Sequence, residues 1–386
     1  MNIKLVSDSW DHKEQSAIKK VVNKGRYTMG PYVRKFENQF AKKFKRKYAV
    51  MVNSGSSANL LSIASLFYKK KNPLKPNDEV IVPALAWSTT YYPLKQYNLK
   101  IRLCDIDKDT LNYDINDLKK KINKKTKLIV GVSILGNPAR LDILKKICKE
   151  KKIYFFEDNC ESLGAKLNSQ LTGTFGDLST SSFFFSHHIS TIEGGMITTN
   201  SKELNDICKS LRAHGWTRDL ENSKIFKKKS DEFYENYRFI LPGYNVRPQE
   251  INGAIGLEQL KKFDKMLSIR EENAKIFRNI FEKDSRFTIQ KQTGKSSWFA
   301  FTMIANPKKI KKTKIFKLFK KNRIDFRMIT GGNIASHDVI KYLNISKKDL
   351  KLPNANFIHK NGFFIGNHPR SIKKELQFLK KVLKKV

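Results

Sequence analysis

Short apolar runs alternate with amphipathic stretches through the first two thirds of the chain, and this alternation is the strongest constraint on its fold. Residues 48–52, 79–82, 127–132, 153–156, 182–185 and 196–199 read as strands. Between them, residues 59–68 carry Leu60, Leu61, Ala64 and Phe67 at helical spacing, and residues 141–151 also read as a helix. Strands and helices in alternation predict an α/β sheet covered on both faces. The pattern breaks at Leu241-Pro242-Gly243-Tyr244. A long helical stretch follows, from about 248 to 281, and the remainder is a smaller α+β region ending in a basic helix over 373–385. The 386 residues therefore divide into a large unit, 1–248, and a smaller C-terminal one, 249–386.

Charge and cysteine usage remove several classes of function. Lys and Arg number 76 against 36 for Asp and Glu, a net charge of +40. The lysines lie in short scattered runs such as Lys69-Lys70-Lys71, Lys119-Lys120-Lys121 and Lys227-Lys228-Lys229, and no basic aromatic module interrupts them. That pattern predicts a solvated surface and no nucleic-acid partner, although it would attract an anionic substrate. No apolar run approaches the roughly 20 residues that span a bilayer. Residues 1–13 carry Asp8 and Asp11 in place of the apolar stretch of a signal peptide. The expected location is the cytoplasm, with no membrane partner. Cys104, Cys148, Cys160 and Cys208 form no CxxC pair, so neither a disulfide framework nor a metal site is expected.

Three segments carry candidate chemistry. Asn53-Ser54-Gly55-Ser56-Ser57-Ala58-Asn59 joins a strand to a helix. Glycine there admits an anion to the backbone, and hydroxyls and free helix N-terminal amides can bind phosphate. Phe156-Glu157-Asp158-Asn159-Cys160-Glu161-Ser162 follows another strand. Carboxylates at such strand ends point into the crevice of an open α/β sheet, where an Asp can pair with a protonated ring nitrogen; a helix cap is the plainer use of the same residues. The run from Ser181 to Met196 holds two adjacent histidines, His187 and His188, directly after an apolar strand. Their side chains diverge, so one of them is expected to face the crevice.

Taken in order, these segments resemble the sugar aminotransferases of the DegT/DnrJ/EryC1/StrS family. The resemblance runs from Trp10 nearly to the C-terminus. It includes Thr28-Met29-Gly30-Pro31, the Ser-Gly-Ser turn, Val82-Pro83-Ala84, Gly136-Asn137-Pro138, Glu157-Asp158, Gly173-Thr174-Phe175-Gly176-Asp177 and Gly243-Tyr244-Asn245-Val246-Arg247. It implies a pyridoxal-phosphate fold of type I, aspartate aminotransferase-like, with a large mixed-sheet domain and a smaller C-terminal α+β domain. It further implies that Gly55, Ser56 and Ser182 hold the cofactor phosphate and that Trp87 stacks on the pyridine ring. Asp158 would pair with the ring nitrogen, and Glu161 would lie near the ring hydroxyl. Asn245 would reach the cofactor phosphate of the neighbouring subunit, which implies a homodimer with shared sites. His214, Arg218, Arg247 and Arg327 are expected at the substrate or at the dimer interface.

Two positions depart from the aminotransferases of that family. They carry lysine where this chain has His187, and usually Gln where it has Glu161. Both departures resemble the family's dehydratase branch. An imidazole forms no stable Schiff base, so pyridoxal 5'-phosphate and its pyridoxamine form would be held noncovalently. A neutral histidine can take a proton near neutral pH and return it to a leaving group. The expected reaction is loss of the C3 hydroxyl from a nucleotide-linked 4-keto-6-deoxyhexose, with L-glutamate as amino donor and release of ammonia. A GDP-linked mannose derivative is the expected substrate. The alternatives are a CDP-linked glucose derivative, an ordinary sugar aminotransferase, or a binding protein on a retired enzyme fold. The CDP branch resembles a system with an iron–sulfur cluster, which needs grouped cysteines that this chain lacks.

Overall fold

The computed structural model describes residues 2–343 and 345–386. In chain order the strands are β1 Tyr48–Val52, β2 Glu79–Pro83, β3 Lys100–Cys104, β4 Thr126–Val132, β5 Tyr154–Asp158, a small hairpin of β6 Lys166–Leu167 and β7 Gln170–Leu171, then β8 Leu178–Ser182 and β9 Gly195–Thr199. All but the hairpin form one seven-stranded sheet in the order β1-β9-β8-β5-β4-β2-β3. Strands β3, β2, β4, β5 and β8 run parallel, while β9 is antiparallel to both β8 and β1. The sheet is thus mixed, and the parallel strands end along one edge.

The strands are buried along nearly their whole length because helices cover both faces. Strand alternation sorts their side chains. Val80, Val82, Leu128, Val130 and Phe156 pack with the helix Gly55–Phe67, whereas Ile81, Ile129 and Phe155 pack with Leu144 and Ile147 of the helix Leu141–Lys151. The helix predicted over 59–68 begins four residues earlier, because Ser54 caps it by accepting the amide of Ser57 at 3.1 Å.

The strand predicted over 182–185 is a misplacement. The strand is β8, and the chain leaves the sheet at Ser182. Phe183 turns into the core against Phe36 and Phe40, while Phe184 and Phe185 are exposed. The hydroxyls of Ser179, Thr180 and Ser181 disguised the strand in the sequence, although all three residues are buried.

A second core surrounds an antiparallel sheet of β10 Phe287–Thr288, β11 Ala300–Ala305 and β12 Gly362–Gly366. The helix Glu250–Phe281 joins the two cores. Leu257, Leu260 and Phe263 pack with Phe36 and Phe40, whereas Ala274, Phe277 and Phe281 pack with Phe301 and Phe363. The N-terminal arm also reaches the second core, where Ile3 is buried and bridges to Ile324. No helix among the described residues is long and apolar enough to cross a membrane.

Candidate active site

Open α/β sheets bind ligands beyond the carboxyl ends of their strands. Here the ends of β1, β2, β4, β5 and β8 open on a cavity of about 510 Å³. The turn after β1 enters it at the N-terminus of the helix Gly55–Phe67. The first amides of a helix have no acceptor within it, so those of Gly55 and Ser56 are available to an anion. Position 55 must be glycine because a Cβ there would lie 2.6 Å from the Cβ of Ser182, which shares this wall. A second helix, Ser88–Gln96, starts beside the first, and the hydroxyls of Ser56 and Thr89 meet at 3.1 Å. Thr89 went unnoticed in the sequence, where only the hydroxyl run Ser88-Thr89-Thr90 after Trp87 marks it. Trp87 leaves its indole 54% exposed on the cavity, an open apolar plane.

The paired carboxylates at the end of β5 point to opposite faces. Glu157 is buried and accepts the amides of Gly173 at 2.8 Å, Phe175 at 2.6 Å and Gly176 at 2.5 Å. It therefore folds the Gly173–Asp177 loop and never reaches the cavity. Asp158 does. Its Oδ2 accepts from Thr90 at 2.7 Å and Asn59 at 2.9 Å, and its Oδ1 accepts the Cys160 amide at 3.2 Å. Asn59 is held in turn by the Thr180 hydroxyl at 2.7 Å. Four elements thus fix one carboxylate, which keeps acceptor capacity on Oδ1 for a further donor.

Glu161 lines the same cavity and accepts the amide of Leu135 at 2.9 Å. Burial raises its pKa to about 8, against the opposing pull of that amide and with the help of Asp158. That shift favours the protonated, hydrogen-donating form at neutral pH.

His187 faces the cavity between Phe299, whose ring centre lies 5.0 Å from the imidazole, and Phe184 at 6.0 Å. Burial, with a smaller contribution from the Arg270 cation, lowers its pKa to about 3. The ring is therefore neutral across the physiological range. His188 turns the other way: it is 3% exposed and its Nε2 bonds the carbonyl of Ser297 at 3.0 Å. Arg327 lines the cavity from beside β12, where it pairs with Phe364, and no lysine lines the cavity among the described residues.

The remaining candidates lie outside this cavity. Asn245 is exposed and accepts from Arg247 Nε at 3.0 Å. His214, Arg218 and Arg247 gather around Trp216, with the His214 ring 4.7 Å away and the two guanidinium carbons 4.3 and 5.7 Å from the indole centre. Sequence reading missed Trp216 as the centre of this group. It also missed Asn59 and Thr90 as the supports of Asp158.

The profile of the DegT/DnrJ/EryC1/StrS aminotransferase family matches residues 8–384, and the chain belongs to that family. Within it, the GDP-4-keto-6-deoxy-D-mannose 3-dehydratase of Escherichia coli is 46% identical over 388 residues, covering 100% of both chains. The protein of the same name from Yersinia pseudotuberculosis is 46% identical over 389 residues, covering 100% of this chain and 99% of its own. Among solved structures, GDP-4-keto-6-deoxymannose-3-dehydratase with a trapped PLP-glutamate geminal diamine is 45% identical, with a TM-score of 0.96 and coverage of 99% of this chain and 100% of that one. A histidine-to-asparagine variant of that dehydratase, with bound GDP-perosamine, matches at the same identity, TM-score and coverage.

Proposed function

We propose that this chain is a pyridoxal-phosphate-dependent 3-dehydratase of a nucleotide-linked 4-keto-6-deoxyhexose. The substrate is GDP-4-keto-6-deoxy-D-mannose, the product its 3,6-dideoxy counterpart, and L-glutamate the amino donor. The observation that carries this reading is a neutral histidine on a cavity that no lysine enters, among the described residues. The identity of 46% to dehydratases of that name, over the whole chain, supports the choice of sugar.

The residues present fit the cofactor. The amides and hydroxyls of Gly55 and Ser56, with Ser182, offer a phosphate cradle. Trp87 offers a plane for the ring, and Asp158 has a free acceptor for a pyridinium N–H. Protonated Glu161 can donate to the ring oxygen. Bound there in its amine form, the cofactor supplies a nitrogen that can condense with the sugar ketone and a ring that accepts an electron pair. With the cofactor bound, His187 would take a proton at the cofactor's amine-bearing carbon and, as imidazolium, would give that proton to the departing C3 hydroxyl. Asp158 keeps the ring nitrogen protonated, and His188, tied to Ser297, takes no part.

The rest of the reading follows. The protein is a cytoplasmic homodimer of dideoxysugar synthesis for O-antigen lipopolysaccharide. Residues 1–248 form the cofactor-binding domain and 249–386 the small one. Asn245 completes the partner's phosphate site, Arg327 meets substrate from the cavity wall, and His214, Arg218 and Arg247, gathered around Trp216 outside the cavity, serve either substrate or the dimer interface. The test is incubation with a panel of nucleotide 4-keto-6-deoxysugars, pyridoxal phosphate and glutamate. The expected result is ammonia release and a product 16 mass units lighter, about one oxygen, from the GDP-mannose derivative alone. An amino sugar product would instead support an aminotransferase.

A further inference from the structure

The cavity has apolar residues from the large sheet and from the segments around the second core. Trp87 and Val132 belong to the strand ends of the large sheet, where the cofactor is proposed to lie. Leu5, Val6, Met328 and Phe364 come from elsewhere: the N-terminal arm, the segment before Thr330, and β12. They make one continuous wall. The Leu5 amide donates to Asp325, three residues before Met328. Arg327 and Phe364 exchange backbone bonds at 2.8 and 3.0 Å. The carbonyl of Leu5 lies against Gly366, where a Cβ would meet it at 2.5 Å.

Part of the polar backbone behind this wall is already engaged. The carbonyl of Lys4 accepts from His368 Nε2 at 2.9 Å, and the Leu5 amide and both Phe364 groups are paired as above. A hydroxyl pressed against these four side chains would give up its water partners and find no polar atom on Leu5, Val6 or Phe364, which is costly, although Arg327 and Thr330 lie beside Met328 on the same cavity. A methyl group loses nothing there and gains contact.

We infer that Leu5, Val6, Met328 and Phe364 form the subsite for the C6 methyl of the sugar and select 6-deoxyhexoses over hexoses that keep the C6 hydroxyl. This rests on the proposed function, which supplies the 6-deoxy substrate. The N-terminal arm thereby acquires a role in specificity, although it lies far in sequence from the motifs of the cofactor site.

Two stable probes test it: GDP-6-deoxy-D-mannose and GDP-D-mannose, which differ only in the C6 hydroxyl. Each is measured as a competitive inhibitor of dehydration by the holoenzyme. The wild type should favour the 6-deoxy compound by about tenfold, the lower range for an apolar pocket facing an added hydroxyl. Val6→Ser and Met328→Gln each place a polar group on the wall and should narrow the preference to about threefold or less, with pyridoxal-phosphate binding, read by absorbance, unchanged. Both positions are partly exposed, so folding should survive; Leu5→Ser is the third variant should either fail. No preference in the wild type, or an undiminished one in every folded variant, overturns the inference while leaving the function intact. If neither compound competes with substrate, the functional reading itself falls, and the inference with it.

Discussion

Replacing Glu161 by glutamine should flatten two pH dependences at once. The carboxyl is lifted from an ordinary 4.5 to about 8, chiefly by burial. The folded chain therefore holds this proton more tightly than the unfolded chain does. Stability from this group is complete below about pH 4.5, declines as pH rises, and is gone once pH passes about 8. At 1.36 kcal/mol per pH unit, the whole interval is worth at most about 5 kcal/mol. Glu161 is partly open to the cavity, so an observed loss of about 2–3 kcal/mol is the expectation. Glutamine keeps the shape, accepts the Leu135 amide through its carbonyl and donates through its NH₂, but cannot ionise. Denaturant unfolding of the cofactor-free protein at pH 5 to 9 should show the wild type losing that stability and Glu161→Gln holding it. In the loaded enzyme, the wild-type rate should fall above about pH 8 as the donor is lost, and the variant should lack this limb. Parallel curves for the two proteins, in stability and in rate, would refute Glu161 as the titrating group.

The other predictions concern the base, the cofactor and the dimer. His187→Asn should bind pyridoxal phosphate and lose dehydration by roughly 10²–10⁴-fold, whereas His188→Asn, whose side chain is tied to Ser297, should lose less than about tenfold; the reverse order in steady-state rates would move the base by one residue. Dialysis should remove pyridoxal phosphate, and borohydride should fix none of it to the native chain; mass spectrometry detecting a reduced lysine adduct would contradict the noncovalent site. Asn245→Ala should weaken cofactor binding, and verified heterodimers of Asn245→Ala with His187→Ala should recover activity through one intact site, which a persistently inactive mixture would disprove.

Sequence reading reached five of the seven strands of the main sheet, missing β3 and misplacing β8, and several side chains of the cavity, because those signals are local. A hydrophobic run with a glycine turn after it identifies a strand end, and two adjacent histidines must diverge. It failed where the determinant is nonlocal. The hydroxyl-rich β8 looked unlike a buried strand, because its polar groups find partners such as Asn59 that lie far away in sequence. The same holds for Asp158, whose orientation depends on Asn59 and Thr90, and for His214, Arg218 and Arg247, whose common centre at Trp216 exists only in the folded chain. The N-terminal arm carried no motif at all, yet Leu5 and Val6 line the cavity.

The surplus of positive charge takes on a different meaning once the cavity is seen. Lysine covers this chain, and a lysine at the base position would be the least unusual residue by composition. Among the described residues, however, Arg327 is the one lysine or arginine that lines the cavity. In the proposed reading the cofactor phosphate is left to uncharged groups, the helix N-terminal amides of Gly55 and Ser56 and the neighbouring hydroxyls, Arg327 is the single cation inside, and the surface charge acts at a distance. That division suits the proposed chemistry. A lysine amine within reach would compete with the cofactor's own nitrogen for the sugar ketone or the pyridoxal aldehyde, and a second cation beside His187 would hold its proton affinity still lower. Keeping lysine out leaves the imidazole as the group that moves protons, which is the condition for expelling a hydroxyl rather than delivering an amine.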